Sequence, residues 1–294
     1  MTFSRLIRFR ANDSQIYFGE PEINQADELL QKLDSKSLYA TILTGSSPFA
    51  VSLSPTAAAR KKVEEILPVL YPSDVPIVRC IGLNYIKHIQ EGGRSPPPYP
   101  SVFTKASATI ASYNEAIPIP VISQKDQLDY EGELAVVIGK TGKNIGVDEA
   151  LNYVAGYAVS NDISARTWQR DPAYAGAVPQ WDFAKGFDKY APLGPMMVST
   201  KVVGDGGNLR LQTWVNDELR QDSHTGDLLF GVKEIIAFIS QGTTLQQGTV
   251  ILTGTPAGVA MGMKPKPVYL ENNDVVRVRI EQLGTLTNRM VWDE

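Results

Sequence analysis

The chain has 294 residues, 43% of them apolar and 20% charged, enough to bury a core without covalent staples. Its 28 basic and 32 acidic residues leave a formal charge of −4, and with no long basic block this argues against nucleic acid as the main partner. One cysteine, Cys80, and two histidines, His88 and His224, exclude an internal disulfide, a thiolate zinc cluster and a three-histidine centre, so a metal here must be held largely by oxygen, which points to Mg²⁺, Mn²⁺ or Ca²⁺.

Arg5, Arg8 and Arg10 interrupt the N-terminus before any apolar run of signal-peptide length, and no stretch approaches the ~20 apolar residues of a membrane helix. The sequence reads as soluble and cytoplasmic, without a membrane partner; mitochondrial or peroxisomal import is left open. In chain order, Leu6–Phe9 and the stretch Tyr39–Leu53 read as short strands separated by polar turns, with a short helix over Ala26–Leu33 between them. A second helix is predicted over Ala57–Leu67, just after Pro55, and Tyr71–Pro76 reads as a linker. These features divide the chain into a small N-terminal α/β domain, 1–75, and a larger domain, 76–294.

Beyond the linker, β-type runs dominate: Ile77–Cys80, Glu133–Ile138, Ala155–Ser160, Met196–Thr200, Leu209–Val215, Thr249–Thr253 and Val275–Glu281. Only Asp148–Leu151 and Gly231–Ile239 have helical character in this part. Without sustained βαβ alternation an α+β, mainly β fold is favoured over a doubly wound sheet. Cys80 ends an apolar strand and reads as a buried small hydrophobe, and His224 reads as part of a polar turn.

Three segments carry chemistry. In the run Asp129–Ile138 an extended backbone puts Glu131 and Glu133 on one face, and two adjacent carboxylates repel unless a cation lies between them. In the second, Ala158–Arg166, Asp162 stands where an apolar strand gives way to a predicted helix. There it is either an N-cap or a third carboxylate beside Glu131 and Glu133, completing an all-oxygen site with room for water and substrate oxygens. If the helix starts there, Arg166 at i+4 and Gln169 at i+7 share a face with Asp162 and offer a wall to an anionic substrate. The third segment pairs His88 with Glu91 one helical turn apart, so that the carboxylate orients the imidazole as a base. Gly92, Gly93 and Pro96–Pro98 follow, the composition of a movable lid. The turn Thr253–Val259 lacks Gly-Lys-Ser/Thr, which disfavours nucleotide binding.

Taken together, these motifs resemble the fumarylacetoacetate hydrolase family in its shorter, two-domain form, from about Val78 to the C-terminus. The resemblance rests on G-x-N-Y-x-x-H-x-x-E at Gly82–Glu91, D-Y-E-x-E-L at Asp129–Leu134 and N-D-x-S-A-R at Asn161–Arg166 with Gln169. It continues in W-x-x-A-K-x-F-D at Trp181–Asp188, Pro192–Pro195, Thr253–Val259 and G-x-L-x-N at Gly284–Asn288. It implies a mixed β-sandwich roll, commonly a homodimer, and a metal site on Glu131, Glu133 and Asp162 that usually takes Mg²⁺ or Mn²⁺. It further implies Lys185 beside the metal, Arg166, Gln169 and Thr255 at the substrate, and His88–Glu91 as a catalytic dyad on a lid. Two departures bear on selectivity: Ser112–Glu115 replaces a Gly-Pro turn that lines the pocket mouth in relatives, and Asp171–Pro179 resembles an insertion. Asn272-Asn273-Asp274 stands where Gly-Asp is usual, a turn that Asn tolerates through positive φ.

Relatives act on 2-oxo acids through an enolate. The resemblance therefore implies hydrolysis of a C–C bond in an acylpyruvate-type 2,4-diketo acid, or decarboxylation of oxaloacetate, with a small 2-oxo or diketo acid as substrate. An isomerase or decarboxylase acting on a 2-hydroxy-dienoate or 2-oxo acid is the alternative. A catalytically silent scaffold is the third reading, against which the full set of acidic, basic and imidazole groups argues.

Overall fold

The computed structural model describes residues 2–53 and 59–294. Its centre is a sheet whose strands lie in the order Ile16–Pro21, Tyr39–Thr44, Arg60–Leu67, Arg5–Ala11, Met197–Val198, Val154–Asn161, Gly132–Ile138, Val250–Leu252, Val78–Gly82 and Ser101–Lys105. A second sheet orders Glu218–His224, Arg210–Val215, Val275–Ile280, Gly284–Trp292 and Ile117–Ile119. Most pairs are antiparallel, while Val250–Leu252 with Val78–Gly82 and Gly284–Trp292 with Ile117–Ile119 are parallel. This is the mainly β, mixed-sheet fold expected from the sequence.

The run LAVVI shows why the two faces of the main sheet are both dry. Leu134, Val136 and Ile138 enter the core shared with Leu211, Val276, Val278 and Leu286 of the second sheet. Ala135 and Val137 point the other way, into a separate core with Val78, Phe103, Met197 and Leu252. At Gly132 the second sheet packs close: a Cβ there would lie 2.3 Å from Thr213 Oγ1. Cys80 is buried in the second core, as expected, and burial pushes its thiol up. In Val232–Ile239 the residues Val232, Ile235, Ile236 and Ile239 are buried at helical spacing, so this helix too is the one predicted.

The N-terminal helix forms over Glu28–Asp34, but the second predicted helix does not. Its first two residues, Ala57 and Ala58, and Pro55 lie outside the described residues, and Arg60–Leu67 is a strand. It is paired on both sides, by Phe9↔Ile66 and Arg10↔Glu65 on one and Tyr39↔Lys62 on the other. The guanidinium of Arg60 lies 3.6 Å from the Tyr39 ring centroid. Cross-strand partners thus override the helix propensity of a Lys- and Glu-rich segment. The expected linker contains one turn of 3₁₀-helix, Pro72–Asp74. Five strands of three or more residues have no counterpart in the sequence reading: Ile16–Pro21, Ser101–Lys105, Ile117–Ile119, Glu218–His224 and Gly284–Trp292. His224 therefore ends a strand rather than sitting on a turn, and its Nδ1 accepts a hydrogen bond from the Gly226 amide.

Arg5↔Val198 and Leu6↔Met197 join the N-terminal strands to the rest of the sheet. Through Tyr157↔Val198 that seam continues into Val154–Asn161, the strand that delivers Asp162.

Candidate active site

Two neighbouring strands end together at the site. Gly132 is paired with Asn161, the Glu131 amide donates to Asn161 Oδ1 at 2.9 Å, and the Asp162 amide donates to the Glu131 carbonyl at 2.8 Å. Glu131 and Glu133 extend the row begun by Ala135 and Val137, while Asp162 projects from the adjacent strand end. One oxygen of each of Glu131, Glu133 and Asp162 lies within 4.8 Å of the others, and all three residues are buried. The short helix Arg166–Arg170 begins four residues after Asp162, so the expectation that Asp162, Arg166 and Gln169 share one helical face does not hold. Nor does Asp162 act as an N-cap: its carboxylate accepts from Lys105 Nζ at 2.6 Å and Lys185 Nζ at 2.8 Å.

Burying like charges this closely requires cations, and the fold supplies three. Lys185 gives all three of its N–H donors away, to Glu131 at 2.7 Å, Asp162 at 2.8 Å and Ser164 at 2.7 Å. Arg166 donates to Asp129 at 2.7 Å, Glu131 at 2.7 Å and Gln169 at 3.0 Å. Lys105 divides its bonds between Asp162 and the Tyr190 carbonyl, also 2.6 Å away. Four carboxylates, counting Asp129, thus face three cations, and the unmatched one is Glu133.

Glu133 Oε2 accepts from the Gly254 amide at 2.7 Å, and among the described residues no cation reaches it. Burial and the neighbouring Asp162 and Glu131 carboxylates push its carboxyl well above the usual range. Burial would raise Glu131 as well, but Lys185 and Arg166 outweigh it and hold that carboxyl below its ordinary value. With Glu133 ionised the set is one positive charge short, at an all-oxygen cluster with one oxygen of Glu133 uncommitted. These residues fit a divalent cation and could hold one.

Opposite the carboxylates, the helix Ile86–Glu91 carries His88 and Glu91, with Nδ1 and Oε2 3.0 Å apart. Because Glu91 takes Nδ1, Nε2 is the ring nitrogen left for a substrate. Asn84 anchors the start of this segment, donating to the carbonyls of Phe230 and Thr253 and accepting from the Phe230 amide. Its far end is seated on the segment Gly258–Gly262: the Gly258 amide donates to Glu91 Oε1 at 3.3 Å, and a Cβ on Gly262 would lie 2.8 Å from the Glu91 carboxyl carbon. Burial would raise Glu91, but the bonds from His88 and Gly258 hold it below its usual value. Gly262→Ala should push the Glu91 carboxylate aside and loosen His88. A fall in turnover with unchanged metal binding, measured on one preparation, checks this; unaltered kinetics would show that the seat has slack.

His88, the three carboxylates, Arg166, Gln169, Lys185 and Thr255 all line one pocket of about 90 Å³, so the structure assembles the residues singled out in the sequence. Thr255 Oγ1 donates to the Gly132 carbonyl at 3.1 Å and accepts from Gln221 at 2.8 Å, so that hydroxyl already has partners. The pocket mouth differs from expectation. Ser112, Asn114 and Glu115 line a different depression, beside Glu65–Pro72. Of the Asp171–Pro179 segment, Pro179 reaches the pocket. Asn273 does adopt positive φ, 71°.

Sequence reasoning gave no role to Lys105 or Asp129. Lys105 closes a strand that was not recognised. Asp129 belongs to the D-Y-E motif, and its carboxylate gathers the amides of Tyr130, Ala260 and Met261 as well as Arg166. Its place at the head of that motif is the signal that could have found it. Among the described residues no helix is long and apolar enough to cross a membrane.

Known proteins resemble this chain in sequence and in overall fold. Residues 77–291 match the family model described as fumarylacetoacetate (FAA) hydrolase, C-terminal. A mitochondrial oxaloacetate tautomerase of Rattus norvegicus is 36% identical over 98% of this chain and 91% of its own length. A human counterpart, also named a mitochondrial oxaloacetate tautomerase, is 40% identical over 80% of this chain and 76% of its own. Among solved structures, the 2-hydroxyhepta-2,4-diene-1,7-dioate isomerase of Mycobacterium marinum superposes with a TM-score of 0.73 at 30% identity, covering 99% of each chain. The fumarylacetoacetate hydrolase of Exiguobacterium antarcticum does so with a TM-score of 0.76 at 32% identity, covering 98% of this chain and 99% of that one. Matched across nearly its whole length in sequence and in fold, the chain belongs to the fumarylacetoacetate hydrolase family.

Proposed function

We propose that this chain is a divalent-metal-dependent enzyme that interconverts the enol and keto forms of a small 2-oxo acid, with oxaloacetate as the substrate. The observation that carries the reading is the placement of one oriented imidazole and a cluster of buried carboxylates, one charge short, on the same small pocket. The relatives named oxaloacetate tautomerases favour proton transfer over the cleavage reactions that the motifs alone suggest.

In this mechanism Glu131, Glu133 and Asp162 would hold Mg²⁺ or Mn²⁺, which would supply Lewis-acid stabilisation of negative charge on an enolate oxygen. Gln169 turns its oxygen to Arg166, which leaves its amide N–H groups for a substrate oxygen. His88 Nε2 delivers a proton to C3 of the enol, while the proton of the enol hydroxyl leaves to solvent. The reverse reaction removes the C3 proton to the same nitrogen. Glu91 keeps the ring turned and offsets the charge on the imidazolium. Lys185 and Arg166, each paired with two carboxylates, act as fixed counter-charges that keep the acidic cluster intact.

A second reading, C–C hydrolysis of an acylpyruvate or decarboxylation of oxaloacetate, draws on the same His88–Glu91 pair, which in hydrolysis would activate water. A homodimer belongs to the proposal as well, supported by the exposed apolar side chains Val121, Ile122, Tyr174, Val178 and Phe183. The deciding experiment follows three signals with Mg²⁺ present and absent: decay of enol-oxaloacetate absorbance, acetylpyruvate cleavage and CO₂ release. Metal-dependent acceleration of the enol decay is expected. Cleavage or CO₂ release without that acceleration would overturn the tautomerase assignment.

A further inference from the structure

The basic side chains of the pocket divide into two groups. Arg166 and Lys185, at the inner end, are each paired with two carboxylates, with Gln169 and Ser164 as their further acceptors. Arg94 and Arg170 also line it, yet among the described residues neither forms an ion pair. The one side-chain contact recorded for Arg170 is from Nη1 to the Met261 thioether at 3.1 Å, a weak acceptor for a guanidinium with five donors. The two arginines arrive from opposite walls. Arg170 follows Arg166 by four residues on one short helix, about 6 Å further along its axis. Arg94 follows the Gly92-Gly93 turn that ends the His88 helix, with its amide donating to the Ile89 carbonyl at 3.0 Å.

Burial, then the positive charges of Arg94 and Arg166, lower the Arg170 guanidinium, so this end of the pocket is crowded with like charge. An anion would relieve that repulsion, whereas an alkyl group would offer neither guanidinium an acceptor. We infer that Arg94 and Arg170 form a subsite for a second carboxylate, so that the preferred substrate is a short 2-oxo dicarboxylate rather than an acylpyruvate with an alkyl tail. The inference rests on the reading that a 2-oxo acid binds at the acidic cluster. It adds a structural consequence: a distal carboxylate held by both arginines ties the wall bearing His88 to the wall bearing Arg166.

The test compares binding of three probes to the full chain by calorimetry in the presence of Mn²⁺. Oxalate fills the inner position alone, pyruvate is a 2-oxo monocarboxylate and 2-oxoglutarate is a 2-oxo dicarboxylate that carries the distal group. Wild type should bind 2-oxoglutarate more tightly than pyruvate. The R94A/R170A double variant should lose about 10- to 100-fold in affinity for 2-oxoglutarate, as expected for losing hydrogen bonds between charged groups. Its affinities for oxalate and pyruvate should change by less than about threefold, the modest effect of removing a charge at an exposed position. Retained oxalate binding also shows that the variant is folded, and R94K/R170K should recover part of the loss. Equal losses for all three probes, or none for 2-oxoglutarate, would overturn the subsite. Selective loss in a protein whose wild type accelerates no enol decay would support the subsite and defeat the tautomerase reading.

Discussion

His88→Ala should lower turnover of oxaloacetate by about 10²- to 10⁴-fold, the usual worth of a positioned general acid or base. The dyad lies across the pocket from the carboxylates, on a helix anchored by Asn84, so Mn²⁺ and oxalate affinities should scarcely move. Glu91→Gln should fall between wild type and His88→Ala, since the amide can still accept from Nδ1 but does not offset the imidazolium charge. The comparison is made on kcat and KM for enol decay, with oxalate binding as the control. If His88→Ala loses oxalate affinity as heavily as turnover, the histidine is organising the pocket rather than moving a proton.

Glu133→Gln should weaken Mn²⁺ binding by more than about 100-fold, beyond what loss of an outer partner of a metal ligand costs. It should also change the stability of the metal-free protein in a pH-dependent way. In the folded chain burial and two carboxylate neighbours raise the Glu133 carboxyl well above its ordinary 4.5. Between that ordinary value and the raised one, the folded state keeps a proton that the unfolded chain has released. Metal-free wild type therefore loses stability from Glu133 as pH rises through the window, and Glu133→Gln should remove that slope. For the same reason Mn²⁺ should bind wild type more tightly as pH rises, because the ion displaces the proton. Thermal melts of both proteins from acidic to neutral pH, without and with Mn²⁺, give the answer. Parallel slopes would show that Glu133 is already ionised in the empty cluster.

What could be read in the sequence was the chemistry that repeats along the chain. Glu131 and Glu133 stand out through period-two alternation against LAVVI, and His88 and Glu91 through a one-turn spacing. The partners that make the cluster tolerable were harder to see, because they arrive from distant strands. Lys105 lies 57 residues from Asp162 in sequence and 2.6 Å from it in space, and nothing local marks it. The strand Arg60–Leu67 escaped for a related reason, since its charged residues read as helix until strands on both sides fix it. The unused state of Arg94 and Arg170 becomes visible only when the bonds of Arg166 and Lys185 are traced one by one.

The carboxylates of the cluster stand on the ends of adjoining strands, whereas the residues facing outward in the pocket come from short helices and loops. Changes in those connections can alter what is recognised while the strand ends, and the enolate chemistry they support, stay in register. Tautomerase, isomerase and hydrolase relatives on one scaffold are the expected product of such a layout, in which reaction type and substrate diversify independently.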